Sequence, residues 1–232
     1  MKFFGNGLSP KHQELNRIIR RKDKIKEAKQ LFLEIHSALH LSNVSDCEHN
    51  EVDALFEDLT PQECGIMPTS KDETIAWVVW HIARIEDLAM NILVDNAEQI
   101  FNQQWKNKIN VNITDTGNAL SDDEIMSLSK NINFEELLSY RNAVGRQARE
   151  IIGKLTADDM RRKVSSQGLE RILKEGGVTE QKDSIWLLDF WGKKDIAGIL
   201  LMPPTRHTLL HLNDCCKWKH EIRTKKKFFR TE

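Results

Sequence analysis

The chain has 232 residues, enough to bury one sizeable hydrophobic core or at most two small ones. Its 34 basic and 35 acidic residues nearly cancel, which argues against a partner recognised by bulk charge, such as nucleic acid or an anionic membrane. No apolar run reaches the roughly 18 residues that a membrane-spanning helix needs, and the N-terminal segment lacks a signal-peptide pattern. We therefore expect a cytoplasmic protein that has no membrane partner.

Four cysteines are too few to suggest a secreted disulfide scaffold of this length, so we expect reduced thiols. They are Cys47, Cys64, Cys215 and Cys216. The adjacent pair would point roughly 100° apart on a helix, which favours packing roles over shared coordination of a metal.

Helical periodicity dominates the chain, and alternating strand patterns are scarce. Ser9 precedes Pro10 in a way that is typical of a helix start, and apolar residues then recur at helical spacing to about His40. We predict a first long helix over about 10–40. The mixed segment 43–68 that follows predicts a loop carrying one short helix.

Two further long helices carry start signals. The second begins near Ser70, which forms a capping box with Glu73, and covers about 70–100. The third begins at Asn133 and covers about 133–155.

The last helix is predicted to follow a chain break. Pro203 and Pro204 interrupt the chain, and Thr205 can cap a helix over about 205–222. Basic residues dominate the C-terminal tail from about 223, and we expect this tail to fray.

Four long amphipathic helices joined by irregular segments predict an all-α fold, a four-helix bundle with short helical inserts. We expect a single domain over 1–232. Facing side chains in such bundles commonly build metal sites.

Three histidines are placed where a metal ion can bind. His207 and His211 form an H-x-x-x-H pair, whose side chains project from one helix face about one turn apart. His81 lies in TIAWVVWHIARIEDLAMNILV and shares a face with apolar residues, so it points into the core. A third histidine from another helix completes the ligand set of a catalytic zinc site. The alternative for His81 is a core histidine that is hydrogen-bonded to a neighbour.

A rival pair is His36 and His40, which are also four residues apart. Their position near a helix C-terminus allows a favourable interaction with the helix dipole, without any metal. Periodicity does not choose between the two pairs. Cys215, eight residues after His207, is an outside candidate for a fourth ligand.

The text around these histidines resembles the DinB-like metalloenzyme superfamily. In that family an apolar or aromatic run leads into a W-H dipeptide like the one at His81, and FWGKKDIAGILLMPPTRHTLLHLND resembles the approach to its fourth bundle helix. The resemblance implies a four-helix bundle with His81, His207 and His211 as the metal ligands, and it disfavours His36 and His40. The chain departs from the family by lacking an R-G-Q-like stretch after the last histidine, which marks a divergent branch.

The resemblance further implies a divalent metal, zinc or nickel by preference, and a thiol-dependent transferase that joins a low-molecular-weight thiol to an electrophilic small molecule. It also implies a homodimer. The alternative is a non-enzymatic metal-binding or stress-related interaction module. A nucleic-acid role for the basic tail is disfavoured by the near-zero net charge.

Charged residues near the histidines are candidates for supporting roles. Asp214 can act as a base or orient a ligand imidazole, and a solvated surface carboxylate is the alternative. Glu86 and Asp87 lie off the face of His81, which favours structural or surface roles. Arg84 flanks that face and is a candidate contact for an anionic substrate.

Overall fold

The structure is a computed structural model that describes residues 3–68, 73–224 and 229–230. These residues are mainly helical, as the periodicity predicts. The α-helices are α1 (Leu8–Ile18), α2 (Ile25–Ser37), α3 (Glu51–Phe56), α4 (Pro61–Cys64), α5 (Ile75–Asp87), α6 (Gln103–Ile109), α7 (Asp122–Asn131), α8 (Phe134–Lys154), α9 (Ser166–Lys174), α10 (Lys182–Gly192), α11 (Ile196–Leu200) and α12 (Thr208–Thr224). Two π-helices (Leu88–Val94 and Met202–His207) and two short strands, β1 (Met67–Pro68) and β2 (Phe229–Arg230), complete the main elements.

The first predicted helix is broken into two. α1 starts after Gly7, without a side-chain cap, and the backbone becomes extended at Arg21. Because of this break α1 packs against α2, so the two helices bury their apolar faces against each other. The prediction of one continuous helix was wrong, since periodicity alone does not reveal where a charged stretch turns. The segment 43–68 likewise carries two short helices instead of one.

The second predicted helix is the centre of the fold. α5 is capped by Thr74, whose hydroxyl accepts a hydrogen bond of 3.0 Å from the backbone N–H of Trp77. Ser70, the predicted cap, lies outside the described residues. α5 runs directly into the first π-helix, and every residue from Ile75 to Val94 is buried. Burial on all sides marks this segment as the core helix of the bundle.

The third predicted helix is confirmed, because Asn133 caps α8 by accepting a hydrogen bond from the backbone N–H of Glu136. The predicted break at Pro203 and Pro204 was wrong. Both prolines lie inside the second π-helix, which leads directly into α12. Thr205 does not cap the helix, because its hydroxyl donates to the carbonyl of Leu200. Proline has no N–H group to donate. The wider turn of the π-helix accommodates the two backbone hydrogen bonds that are missing at these residues.

The described part of the C-terminal tail is held in place, contrary to the prediction of fraying. α12 continues to Thr224, and Arg223 binds the carboxylates of Asp58 and Glu63. Residues 229–230 then pair antiparallel with residues 67–68.

The four predicted bundle elements do pack together. α8 contacts α2 and α5, while α5 and α2 both contact the segment formed by the second π-helix and α12. The fold is therefore the all-α four-helix bundle that the sequence predicts. Among the described residues no helix is long and apolar enough to cross a membrane. All four cysteines are free thiols.

Candidate metal centre

The structure brings His81, His207 and His211 together. Their ring centroids form a triangle with sides of 4.6 Å (His207–His211), 5.0 Å (His81–His207) and 5.2 Å (His81–His211). One nitrogen from each ring lies within 4.8 Å of the others, a spacing at which a single ion can contact all three. His81 is almost fully buried, while His207 and His211 are partly exposed residues.

Three elements position these rings. His81 comes from the middle of α5, His207 ends the second π-helix and His211 lies one turn into α12. Because the helix continues without interruption across His207, the two histidines keep the four-residue spacing that places them on one face. The close packing of α12 against α5 brings that face to His81.

The orientation of His81 is fixed by a backbone carbonyl. Its Nδ1 lies 2.8 Å from the carbonyl oxygen of Thr116, and a carbonyl can only accept, so Nδ1 carries the proton. The lone pair on Nε2 then faces Nε2 of His207 at 3.1 Å. If both nitrogens bound one zinc ion at about 2.1 Å, this separation would correspond to a bond angle of about 95° at the ion.

The carbonyl of Thr116 belongs to a loop that α5 holds by its side chains. Trp77 Nε1 donates to Gly117, Trp80 Nε1 to Asp115 and Arg84 Nε to Thr114, each within 3.1 Å. Gly117 is required at its position for two reasons. Its φ is +77°, and a Cβ there would lie 2.8 Å from Trp77 Nε1.

His81 and His207 are neutral at physiological pH, as metal ligands must be. Burial lowers the pKa of His81 to about 3, and the neighbouring His211 acts in the same direction. Burial also lowers the pKa of His207 well below its usual value, and the neighbouring histidines act in the same direction. Trp77 stacks on His81 with ring centroids 4.7 Å apart and planes 8° apart, which excludes water from one face of the ring.

His207 differs from His81 because the protein does not fix its tautomer. Its Nδ1 is buried without a hydrogen-bond partner in the described part of the chain. Without a metal, Nε2 can carry the proton and donate it to His81. A divalent ion would be held through Nε2 of both rings, with the proton of the neutral His207 on Nδ1. The donor set therefore fits a divalent ion.

Asp214 and Cys215 extend α12 beyond the histidines. Asp214 is partly exposed, and in the described part of the chain its carboxylate does not hydrogen-bond either ring nitrogen of His207. Cys215 is fully buried in the core, where burial raises the pKa of its thiol well above the usual value. A neutral thiol is a poor metal ligand, which disfavours Cys215 as the fourth ligand.

Arg84 is not placed to contact a substrate. Its side chain is fully buried, and its guanidinium binds Asp87, Tyr140 and Gln99. Asp87 has the structural role that the sequence favours.

His36, His40 and Glu86 form a second group that the sequence analysis did not assemble. Their ligand atoms also lie within 4.8 Å of one another, and all three side chains are buried. Glu86 Oε1 lies 2.8 Å from His36 Nε2, and Glu86 Oε2 lies 3.2 Å from His40 Nε2. The i, i+4 spacing of the histidines signals such a site, but only the tertiary structure shows that Glu86 faces them.

The comparison with protein families agrees with this architecture. The family model of the DinB superfamily matches residues 47–178, more than half of the chain, and the chain belongs to that superfamily. The match includes His81 and Glu86 but ends before His207 and His211. No curated protein matches the chain.

Proposed function

We propose that this protein is a metal-dependent enzyme of the DinB superfamily in which His81, His207 and His211 hold one divalent ion, zinc or nickel. The observation that carries the proposal is the triangle of three imidazoles, two of which belong to partly exposed residues. Three protein ligands and an open position are the arrangement of catalytic metal sites, whereas structural zinc sites are closed by four protein ligands.

The reaction class that we propose is the transfer of a low-molecular-weight thiol to an electrophilic small molecule. A divalent ion held there lowers the pKa of a thiol at its open position and so supplies a nucleophile at neutral pH. The Thr116 carbonyl orients His81 and Trp77 shields its ring from water, while the partial exposure of His207 and His211 favours them as the side from which substrates approach. Asp214 is the proposed proton acceptor, and its partial exposure on the same helix supports that role.

A non-enzymatic metal-binding module is the second candidate. It is favoured by the absence, within the described residues, of a hydrogen bond between Asp214 and the ring of His207. A carboxylate that oriented a ligand imidazole would be expected to make that bond.

Metal analysis and cobalt substitution test these proposals. We expect His211→Ala to remove the ion that His81, His207 and His211 bind, whereas His49→Ala, which changes an exposed histidine, retains it. Glutathione or cysteine should perturb the absorption spectrum of the cobalt protein, and Asp214→Asn should lower turnover without removing the ion. A cobalt spectrum that ignores both thiols, together with no turnover, would support the non-enzymatic module.

We also propose that the chain forms a homodimer in the cytoplasm. Of its six tryptophans only Trp186 is exposed, so the apolar material available for an interface is smaller than composition suggests. Trp186 and Leu210 are each about half exposed. Sedimentation equilibrium should give twice the chain mass of 26.9 kDa, and a 26.9 kDa species at micromolar concentration would contradict the dimer.

A further inference from the structure

We propose that His36, His40 and Glu86 form a second, buried site for a divalent transition-metal ion, in addition to the site at His81, His207 and His211. The two imidazoles come from the C-terminal end of α2 and the turn that follows it, and the carboxylate comes from α5. Two imidazoles and one carboxylate suit ions such as Fe(II), Mn(II) and zinc.

The rings of His36 and His40 both lie beside the carboxylate of Glu86. His36 and His40 stack with their centroids 4.0 Å apart and their planes 18° apart, so both Nε2 atoms approach the same carboxylate. The distances from these two atoms to the Glu86 oxygens, 2.8 and 3.2 Å, are near the separation of about 3.0 to 3.4 Å between ligands that share an ion with bonds of about 2.1 Å.

The protonation of His40 provides the strongest argument. Its Nδ1 lies 3.1 Å from the carbonyl oxygen of His36, so Nδ1 carries the proton of the neutral ring. Nε2 of His40 therefore carries no proton, and it lies 3.2 Å from a carboxylate oxygen of Glu86 without a hydrogen bond between the two atoms. Two acceptors at this distance repel each other unless a cation lies between them. That cation is either a proton or a metal ion.

Burial disfavours the proton. His40 is completely buried, and a charged imidazolium without water is costly. Nδ1 of His36 also has no hydrogen-bond partner among the described residues.

The absence of a side chain at Gly145 leaves room for the ring of His40. Gly145 of α8 lies against His40, and a Cβ at that position would be 2.5 Å from Cδ2 of the ring and 2.9 Å from Nε2. Any larger residue would push His40 away from Glu86. The glycine therefore keeps the ligand ring in place.

The charge of the buried Arg141 should lower the affinity of the second site for a metal ion. Its guanidinium donates to the carbonyl of Leu39, and its charge lowers the pKa of His40, so it also opposes a cation between the histidines. Glu86 offsets this charge. We therefore expect the second site to bind more weakly than the first but to exchange its ion more slowly, because His36, His40 and Glu86 are all buried.

Metal stoichiometry tests the proposal directly. The protein is stripped with a chelator, reloaded with cobalt or zinc, and measured by elemental analysis and calorimetric titration. We expect two ions per chain for the wild type, and one for His40→Ala, for Glu86→Gln and for His211→Ala. The combination of His40→Ala with His211→Ala should bind none. His49→Ala removes one partner of the exposed His49–Glu57 pair and should still bind two.

The outcomes separate the two sites. One ion in the wild type that only His211→Ala removes would overturn the second site and leave the proposed function intact. One ion that only His40→Ala removes would overturn the metal assignment of the proposed function instead. If His40→Ala fails to fold by circular dichroism, ¹⁵N NMR of the histidine rings in the wild type decides the question. Adding a second equivalent of zinc must then shift the Nε2 signal of His40, and an unchanged signal overturns the proposal.

Discussion

Glu86 and Asp87 are consecutive residues of α5, and both carboxylates are fully buried. Asp87 accepts hydrogen bonds from five groups: the side chains of Arg84, Asn91 and Tyr140 and the backbone N–H groups of Ile100 and Phe101. Glu86 lies beside two imidazoles: it has a hydrogen bond with Nε2 of His36, whereas Nε2 of His40 lies 3.2 Å away without one.

The difference between the two neighbours separates a structural carboxylate from a ligand. A buried charge is tolerated when donors surround it, as they do at Asp87. Glu86 lacks such a set of donors, and the proposed metal ion would balance its charge. The same helix thus anchors the fold with one residue and presents a metal ligand with the next.

We expect acid to lower the free energy of unfolding of the metal-free protein through its buried histidines. His40 and His81 have folded-state pKa values of about 3 against an ordinary value of 6.5, and the pKa of His207 is also lowered. The unfolded state therefore binds more protons below pH 6.5, so the stability present above that pH is lost as the pH falls towards 3. Between pH 7 and pH 5 we expect the metal-free protein to lose about 2 kcal/mol for each of His40 and His81, and His207 should contribute in the same direction.

Urea unfolding at several pH values, with chelator present, measures this loss. His40→Asn should reduce it by about one third, because one of three buried neutral imidazoles is gone. An unfolding free energy that stays constant from pH 7 to pH 5 would show that these rings are not buried neutral groups.

Substitution of the two carboxylates tests the comparison itself. Asp87→Asn leaves the buried Arg84 without its charge partner and turns an amide donor towards other donors, so we expect a loss of about 3 to 5 kcal/mol. Glu86→Gln in metal-free protein should cost at least about 2 kcal/mol less than Asp87→Asn, because the amide can donate to His40 and accept from His36. Equal losses in urea unfolding would contradict the distinction between the two residues.

Two glycines of α8, Gly145 and Gly153, test whether α8 confines the ring of His40 beside Glu86. Gly145→Ala places a Cβ against the ring of His40, and we expect it to destabilise the protein by about 1 to 3 kcal/mol. A Cβ on Gly153 would instead meet open space, so Gly153→Ala should stabilise the same helix by up to about 1 kcal/mol. Thermal unfolding of both variants measures the sign, and a stabilising Gly145→Ala would show that His40 is not confined by α8.

The smallest effect is expected for an exposed ion pair. Arg223 binds Asp58 and Glu63, but its side chain is about one third exposed to solvent. Arg223→Ala should therefore cost about 1 kcal/mol or less, against the larger loss at the buried Asp87. Measurement in low and high salt completes the test, since the contribution of Arg223 should shrink as salt is added. A loss as large as that of Asp87→Asn would mean that burial does not explain the difference.

The fold class was predictable because local signals carry it. The all-α fold follows from helical periodicity, and Asn133 caps α8 as its position before Glu136 predicts. The helix break at Arg21 and the helical path through Pro203 and Pro204 were missed. Both depend on packing against other helices, which overrides local propensity.

The sequence by itself determined the spacing of His207 and His211 and the inward direction of His81, because a helix fixes which residues share a face. The family resemblance then joined them into one group. Only the tertiary structure decided that the Thr116 carbonyl sets the tautomer of His81 and that Glu86 meets His36 and His40. These contacts join residues that are 35 to 50 positions apart in the chain. Their physical basis is the packing of α2, α5 and the loop around residue 116, which no local pattern in the sequence encodes.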